Sequence, residues 1–247
     1  MNLYISLTSI YDNQDILIET IKSILNQTMK SDYIYLYLSE NPFLLDKGFK
    51  NKEVTNKNLL NLINNNNNII IKWVDNIGSY RKLIYLLKEK WNENCLIITI
   101  DDDTVYNPNL IENLVNDYNK YKCVIGYRGF TPKCNNLKEF NYKERIKLQN
   151  LSLYNFPTGK GGILYKPEFF HKTNNMIFEK NIYLNNLKTV DDIWFYLLRI
   201  KNNIKCYLDN KPFQLKDNSK KGLWCNFNSK NNNNTILLQN ILKLLKI

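Results

Sequence analysis

The chain has 247 residues, of which 34 are Lys or Arg, 23 are Asp or Glu and one is His, so its formal net charge is +11. With 44 % hydrophobic residues it can bury a sizeable core, which excludes a disordered or fibrous protein. The single His, His171, excludes sites that need two imidazoles, and no GxSxG motif is present to complete a serine triad. The positive charge indicates either an anionic partner or the codon bias of an AT-rich genome, since Asn, Lys and Ile are abundant.

The cysteines are odd in number and contain no CxxC pair, which predicts reduced thiols that fill the core in a reducing compartment. The N-terminus lacks the charged and apolar regions of a signal peptide, and no apolar run approaches the ~20 residues that span a bilayer. We therefore expect a cytoplasmic protein, located in a host cell if the source is a virus. The five cysteines are Cys95, Cys123, Cys134, Cys206 and Cys225.

The first 128 residues alternate between strand and helix patterns. Apolar or β-branched runs predict strands, and apolar residues three and four apart predict helices. This alternation predicts an α/β fold: a single domain with a mainly parallel central sheet and helices on both faces. The predicted strands are 3–7, 33–38, 69–74, 96–100 and 123–127, and the predicted helices are 14–28, 80–91 and 108–121, with a looser stretch at 42–63.

The alternation weakens after residue 128. We expect a polar segment, a Gly-rich turn at 159–162, a strand at 163–165, a helix at 191–201, a strand at 204–208 and a polar loop at 216–230. An Asn run at 231–234 is predicted to link this loop to a helix at 235–246. The predicted organisation is one domain, 1–230, in two halves, 1–128 and 129–230, followed by a helical tail, 231–247.

Three adjacent carboxylates follow the predicted strand in CLIITIDDDTVYNP. Asp101, Asp102 and Asp103 stand at the carboxyl end of this strand, where open α/β sheets bind ligands. Two carboxylates ~4 Å apart repel by about 1 kcal/mol in water and about 4 kcal/mol at an effective dielectric constant of 20. Mg²⁺ or Mn²⁺ would relieve that repulsion. The alternative is a solvated turn that caps the next helix.

One enzyme class with such carboxylates is the haloacid-dehalogenase-like phosphatases. Asp101-x-Asp103-x-Val105 matches their DxDx[TV] pattern, in which Asp101 would be the nucleophile and Asp103 the acid. That motif ordinarily lies on the first strand of its domain, whereas about three strand–helix units precede it here.

The other class is the nucleotide-sugar-dependent glycosyltransferases of GT-A fold, a Rossmann-like domain. Most of residues 3–208 resembles glycosyltransferase family 2, in the segments LTSIYDNQDILIETIKSILNQT, DNIGSYRKL, DDDTVYNPNL and TVDDIWFYLLRI. The resemblance implies a hexosyltransferase of glycan biosynthesis that moves a sugar from a nucleotide diphosphate, with UDP expected, to an acceptor hydroxyl. Residues 1–128 would then be the nucleotide-binding half and 129–230 the acceptor-side half.

The resemblance also implies which residues hold the nucleotide. Thr8 and Tyr11 match the base-binding turn after the first strand, and Glu40 stands where the family has an acidic residue that reads the base. Lys82, after the Asn-x-Gly turn, would face the nucleotide end.

The DxD segment and the TVDDIW segment supply the implied catalytic groups. Asp103 would be the principal ligand of Mn²⁺ or Mg²⁺, and Asp101 and Asp102 would contact ribose or water around the cation, with Asp101 a second candidate ligand. Asp192, beside Asp191, aligns with the base of an inverting transferase, which takes the proton of the acceptor hydroxyl. The alternative is a pair of helix N-terminal charges stabilised by the macrodipole.

The acceptor side is the least defined part of the sequence. NFPTGKGGILYKPEFF resembles the family's acceptor-side turn, which gives Gly161 and Gly162 that role. Trp194 is predicted either to form the floor of an acceptor-sugar site or to pack in the core. Residues 216–224 are either a lid that closes on diphosphate or a solvated loop.

Two further expectations concern His171 and the charge. His171 precedes Asp192 in the chain, so we predict a surface or packing residue rather than a metal ligand. A third hypothesis, after the two enzymes, is a non-catalytic basic module that binds nucleic acid or a glycan. The glycosyltransferase hypothesis expects no nucleic-acid partner.

Overall fold

The computed structural model describes residues 1–134, 136–210, 222, 224–228 and 232–245. Eight strands form a central sheet and three short ones form a second sheet beside it. The strands in chain order are β1 (Asn2–Thr8), β2 (Tyr33–Leu38), β3 (Ile69–Trp73), β4 (Cys95–Thr99), β5 (Val124–Gly126), β6 (Gly129–Pro132), β7 (Arg145–Ile146), β8 (Asn150–Ser152), β9 (Phe156–Pro157), β10 (Ile163–Tyr165) and β11 (Cys206–Leu208).

The central sheet is mainly parallel, as predicted. Its order is β3-β2-β1-β4-β10-β5-β11-β8, and only β8 and β10 among these strands run against the others. The second sheet has the order β7-β6-β9 and is antiparallel. An α/β fold with a mainly parallel sheet is therefore confirmed.

Eight α-helices accompany the sheets in the described part of the chain. Helix α7 has the predicted bounds, and α1, α3 and α4 match the predicted helices apart from their ends. The helices are α1 (Gln14–Leu25), α2 (Lys57–Asn64), α3 (Arg81–Glu89), α4 (Leu110–Tyr121), α5 (Asn174–Ile177), α6 (Lys180–Asn186), α7 (Asp191–Lys201) and α8 (Asn233–Leu245).

The sheet is covered on both faces. Successive side chains of a strand point to opposite faces, and all five residues of β4 are buried. A strand buried in this way needs cover above and below, which explains its continuous apolar sequence. Helix α3 packs on β1, β2 and β4, and α4 packs on β5 and β10.

The second half differs from the prediction in two places. The polar segment, residues 131–150, also carries β7 and part of β6, for which no strand was predicted, because two- to four-residue strands leave no periodic signal. The Asn run is not a linker, since α8 starts at Asn233 and Asn234 is buried. Leu238 and Ile241 of α8 belong to the same core cluster as the sheet.

Four of the five predicted thiols are described by the structure, and they are free and mostly internal, as predicted. Cys95, Cys123 and Cys206 are buried and Cys134 is half-buried, and none of these four forms a disulfide. Among the helices of the described ranges, none combines the length and apolarity that a bilayer crossing requires. Lysines 216, 220 and 221 of the predicted lid lie outside the described residues.

Candidate active site

The sheet topology brings distant segments to one edge. Strands β1 and β4 are parallel neighbours with Ser6 opposite Thr99, so Thr8 and Asp101 both lie just beyond the same edge. Strand β10 runs the other way between β4 and β5, with Ile163 opposite Thr99. The glycine turn that precedes β10 therefore reaches the carboxyl edge of β4, where α7 also begins.

A cleft of about 610 Å³ opens at this edge. Its lining combines residues of both halves of the chain, which an open sheet permits at the ends of its strands. Seven of the predicted site residues line it: Thr8, Lys82, Asp101, Asp102, Asp103, Asp191 and Asp192.

Lys82 lies at the centre of what we call the carboxylate cluster, formed with Asp101, Asp191 and Asp192. Its Nζ is 2.9 Å from Asp101 Oδ1 and 3.1 Å from Asp191 Oδ2, and its side chain is 8 % exposed. Burial alone would lower the pKa of Lys82, but the charges of Asp101, Asp191 and Asp192 raise it well above its usual value. The ammonium therefore stays charged and joins the DxD turn to the start of α7.

Asp191 and Asp192 have different environments although they are adjacent. Asp191 accepts a 2.7 Å hydrogen bond from Ser79 Oγ in addition to its ion pair with Lys82. Asp192 accepts a hydrogen bond from the Gly159 backbone N–H, whose nitrogen is 3.2 Å from Asp192 Oδ1 and 3.3 Å from Oδ2. Burial and the charge of Asp191 raise the pKa of Asp192 to about 7, against the opposing charge of Lys82. A carboxylate with that pKa can exchange protons at neutral pH.

Asp102 is held by the segment that follows β1. It accepts hydrogen bonds from Ser9 Oγ and from Asn13 Nδ2, the latter at 3.1 Å. Burial raises the pKa of Asp102 to about 6, and Asp103 contributes to the rise, whereas the hydrogen bond from Ser9 lowers it. This carboxylate is thus positioned by two neutral donors, Ser9 and Asn13.

The donor set for a divalent cation is limited. No group of three or more His, Cys, Asp or Glu residues within the described ranges forms a metal cage. Asp101 is paired with Lys82, while Asp103 lines the cleft and accepts a 3.2 Å bond from Thr104 Oγ1. Mg²⁺ is commonly held by one or two carboxylates together with substrate phosphates and water. The residues fit a cation of that kind, shared with a diphosphate, and not a site built by the protein alone.

A buried ion pair on the cleft wall has no signal in the sequence. Arg81 Nη2 lies 3.0 Å from Asp46 Oδ2, and the two side chains are 1 % and 2 % exposed. Asp46 also accepts from the backbone N–H of Tyr11 and from Asn76 Nδ2. The pair joins α3, the loop before residue 49 and the turn after β1. No local spacing could reveal it, because 35 residues separate the partners.

Five predicted site residues do not line the cleft. Tyr11 packs edge-on against Phe49, and Glu40 lies in the exposed bend after β2. Trp194 is fully buried and donates to the Ile177 carbonyl, so its assignment as an acceptor floor is wrong.

Gly161 and Gly162 shape the turn without reaching substrate space. A Cβ on Gly161 would lie 2.3 Å from Arg128 Cβ, and Gly162 has φ +84°. Both glycines are buried. Gly159, which was not singled out, is the residue of this turn that contacts Asp192.

His171 is exposed, as predicted. Its Nε2 lies 3.0 Å from the Trp91 carbonyl oxygen and its ring packs on the Trp91 ring, away from the cleft lining.

Comparisons with known proteins find relatives by structure and not by sequence. No family model and no curated protein sequence matches the chain. Three structures of Staphylococcus aureus TarS 1–349 match 86 % of it: one alone (TM-score 0.55, 13 % identity), one in complex with UDP (0.53, 14 %) and one with UDP-GlcNAc (0.51, 11 %). The chain spans 59 %, 59 % and 57 % of the length of those proteins. At such identity the likeness shows the fold, which is GT-A-like.

Proposed function

We propose that the chain is a nucleotide-sugar-dependent glycosyltransferase, a hexosyltransferase of inverting mechanism that uses a UDP-sugar. The observation that carries the proposal is the carboxylate cluster at the carboxyl edge of the sheet, with Asp192 poised to take a proton. The fold supports it, because TarS, which shares that fold, has been solved with UDP and with UDP-GlcNAc.

The bond-making step uses Asp192 as general base. The acceptor hydroxyl gives its proton to an Asp192 oxygen as its own oxygen bonds to the anomeric carbon, and the bond from that carbon to the diphosphate breaks. A base whose pKa lies near the working pH combines a useful basicity with a large unprotonated fraction. The Gly159 N–H orients this carboxylate towards the cleft.

Lys82 acts as a positioning residue in this proposal. Its ammonium contacts Asp101 and Asp191, so it holds the DxD turn and the first turn of α7 in register. The family resemblance implies that Lys82 faces a diphosphate, but its charge is directed to these carboxylates. Neutralisation of the departing diphosphate must then come from elsewhere.

Asp103 would hold Mn²⁺ or Mg²⁺ together with the diphosphate, with Asp101 close by. A cation there supplies charge stabilisation to the leaving phosphate oxygens. Thr8 and Asp102 would contact the nucleoside, since Asp102 lies beside the turn after β1 through Ser9 and Asn13.

A thermal-shift panel of nucleotides and nucleotide sugars, with and without Mn²⁺, tests this function. We expect one UDP-sugar with metal to raise the melting temperature more than UMP or other nucleotides do, because a ligand that binds only the folded state stabilises it. The same protein is assayed for phosphate release from a generic phosphate ester and for salt-dependent binding to single-stranded RNA. Phosphate release without UDP affinity would indicate the phosphohydrolase, and RNA binding unaffected by Asp103→Ala would indicate the basic module.

A further inference from the structure

A second group of charges, opposite in sign, lines the same cleft. We call Arg128, Arg145 and Lys147 the cationic wall. All three line the cleft and are exposed. Arg128 follows β5 by two residues, and β7 and the residue after it carry the other two. The mechanism proposed above uses none of them.

The strand order places Arg128 of the cationic wall on the far side of the carboxylate cluster from Thr8, where the nucleotide would bind. Along the sheet edge the order is β1 with Thr8, β4 with Asp101, the turn before β10 with Gly159, and β5 with Arg128. Neighbouring strands are ~4.8 Å apart, so three intervals place the Arg128 position about 14 Å from that of Thr8. A nucleotide at the β1 end would therefore have the carboxylate cluster between itself and Arg128.

Aromatic rings lie under Arg145, one residue of the cationic wall. The Arg145 guanidinium lies 5.5 Å from the ring centres of Phe130 and Tyr142. The Phe130 and Phe156 rings stack at 5.0 Å, and both are buried through the pairing of β6 with β9. A cation over an aromatic face keeps its charge and its donors for a ligand while its position is fixed.

Tyr142 links this wall to the proposed base. Burial raises the pKa of its hydroxyl to about 12, with a further rise from the charge of Asp192 and an opposing effect of Arg145 and Arg128. Tyr142 and Asp192 line the same cleft, and the Arg145 guanidinium lies over the Tyr142 ring. Arg128 also donates a long 3.5 Å bond to Thr158, beside Gly159.

Two cations of the wall differ from the other cations of the cleft in their pairing. In the part of the chain that the structure describes, neither Arg145 nor Lys147 forms an ion pair with a carboxylate, whereas Arg81 and Lys82 deeper in the cleft both do. Guanidinium groups bind the oxygens of phosphate and carboxylate groups with paired donors.

From this placement we infer that the acceptor is anionic: it carries a phosphate or carboxylate group that Arg128, Arg145 and Lys147 bind, which brings its free hydroxyl to Asp192. The inference rests on the proposed function for the role of acceptor, and it adds the chemical class of that substrate. The wall would select for charge, and the rings of Phe130 and Tyr142 would support Arg145 within it.

Binding to the full chain, saturated with UDP and Mn²⁺, tests the inference by titration calorimetry. The probes are three glucose derivatives: glucose 6-phosphate, glucuronic acid and methyl glucoside. We expect the two anions to bind at least tenfold more tightly than the neutral sugar, with a preference that shrinks as salt is raised. The phosphate and carboxylate arms report which anion is preferred, and equal binding of all three would overturn the inference.

Two variants locate the effect. Arg145→Gln and Lys147→Gln should each reduce the anion preference about threefold to tenfold and leave the affinity for methyl glucoside unchanged. Lys120→Gln is the matched control, because Lys120 is also an exposed cation over an aromatic ring, 4.9 Å from the ring centre of Tyr121, but lies on α4 outside the cleft lining. An anion preference that falls equally in the control and in both wall variants would overturn the assignment to this wall.

The two proposals fail in different ways. If no nucleotide sugar binds, the glycosyltransferase function fails, and the same three probes titrated without UDP still report on the wall. If nucleotide sugars bind but the anions gain nothing over the neutral sugar, only the acceptor class is wrong. Circular dichroism of both wall variants confirms that they fold, as exposed positions lead us to expect.

Discussion

The two walls of the cleft hold their polar groups in opposite ways. On the wall built by residues before 104, the polar groups are bonded to one another, as in the Arg81–Asp46 pair, which is nearly excluded from water. On the wall built by residues 128–147, Arg128, Arg145 and Lys147 are exposed. Groups fixed by their neighbours are preorganised for a reaction, whereas exposed cations are available to recognise a ligand. Under the two proposals, the first wall would hold the reacting groups in place and the second would select the acceptor.

The largest effect is expected from Asp192→Asn. The variant removes the proton acceptor but keeps size and most hydrogen bonds, so transfer should fall about 10³-fold while UDP-sugar affinity changes less than about threefold. Initial rates and calorimetry measure the two quantities. Glu19→Gln, an exposed carboxylate on α1 paired only with Lys22, is the control and should retain full activity. Normal turnover by Asp192→Asn would remove this residue from the base role.

The buried pair of the first wall predicts a loss of stability rather than of chemistry. Asp46→Asn leaves the Arg81 guanidinium buried without a counter-charge, which should lower the free energy of unfolding by about 3–5 kcal/mol. Urea denaturation measures it. Asp12→Asn breaks the exposed pair with Lys47 and should change the same quantity by less than about 1 kcal/mol. If the two substitutions lower the free energy of unfolding equally, the buried Arg81–Asp46 pair does not stabilise the first wall as described.

Gly159→Ala tests the junction of the two walls. The added Cβ would lie 2.7 Å from Lys82 Nζ and 3.1 Å from Asp101 Oδ1, both at the ends of side chains that can move. We expect kcat to fall about tenfold as the carboxylate cluster shifts, with a cost in stability of about 1 kcal/mol or less. Gly129→Ala, by comparison, meets the Phe156 backbone oxygen at 2.3 Å and should lower the melting temperature. A fully active Gly159→Ala would mean that the exact position of the cluster is unimportant.

The smallest effect concerns pH. Asp192 acts as a carboxylate and its pKa is raised to about 7, so kcat/KM of the free enzyme should fall as the pH drops below about 7. The charge of Lys82 lowers the pKa of Asp192. Lys82→Met should therefore shift the fall in kcat/KM to higher pH. A pH–rate series on the wild type and the variant measures both positions. If kcat/KM of the wild type falls only near pH 4, the raised pKa of Asp192 is contradicted.

The same contrast between the walls explains what the sequence could predict. Strands β2 and β10 and helix α7 were predicted with their bounds, because an apolar run or a helical period is a local signal. Asp101, Asp103 and Asp192 were found because each belongs to a contiguous motif. The convergence of Asp101 and Asp192 on Lys82 and Gly159 depends on β10 running antiparallel between β4 and β5, and strand direction has no local signature.

The second wall was mostly invisible to sequence reasoning. Strands β6, β7 and β9 have two to four residues each, and their pairing joins segments more than ten residues apart. Arg145 and Lys147 lie among many other cations of a chain with net charge +11, so nothing marked them in advance. Trp194 is an error in the opposite direction. It is close to Asp191 in sequence, which suggested a place in the acceptor site, but its side chain is buried in the core.

The most direct test is calorimetric titration of a UDP-sugar into the wild type and Asp103→Ala, each with Mn²⁺ and with a chelator. The account predicts a single site whose affinity in the wild type rises at least tenfold with Mn²⁺, and a variant that binds weakly under both conditions. Equal affinity in all four titrations, or no binding in any, would contradict the claim that this cleft holds a nucleotide sugar through a cation at Asp103.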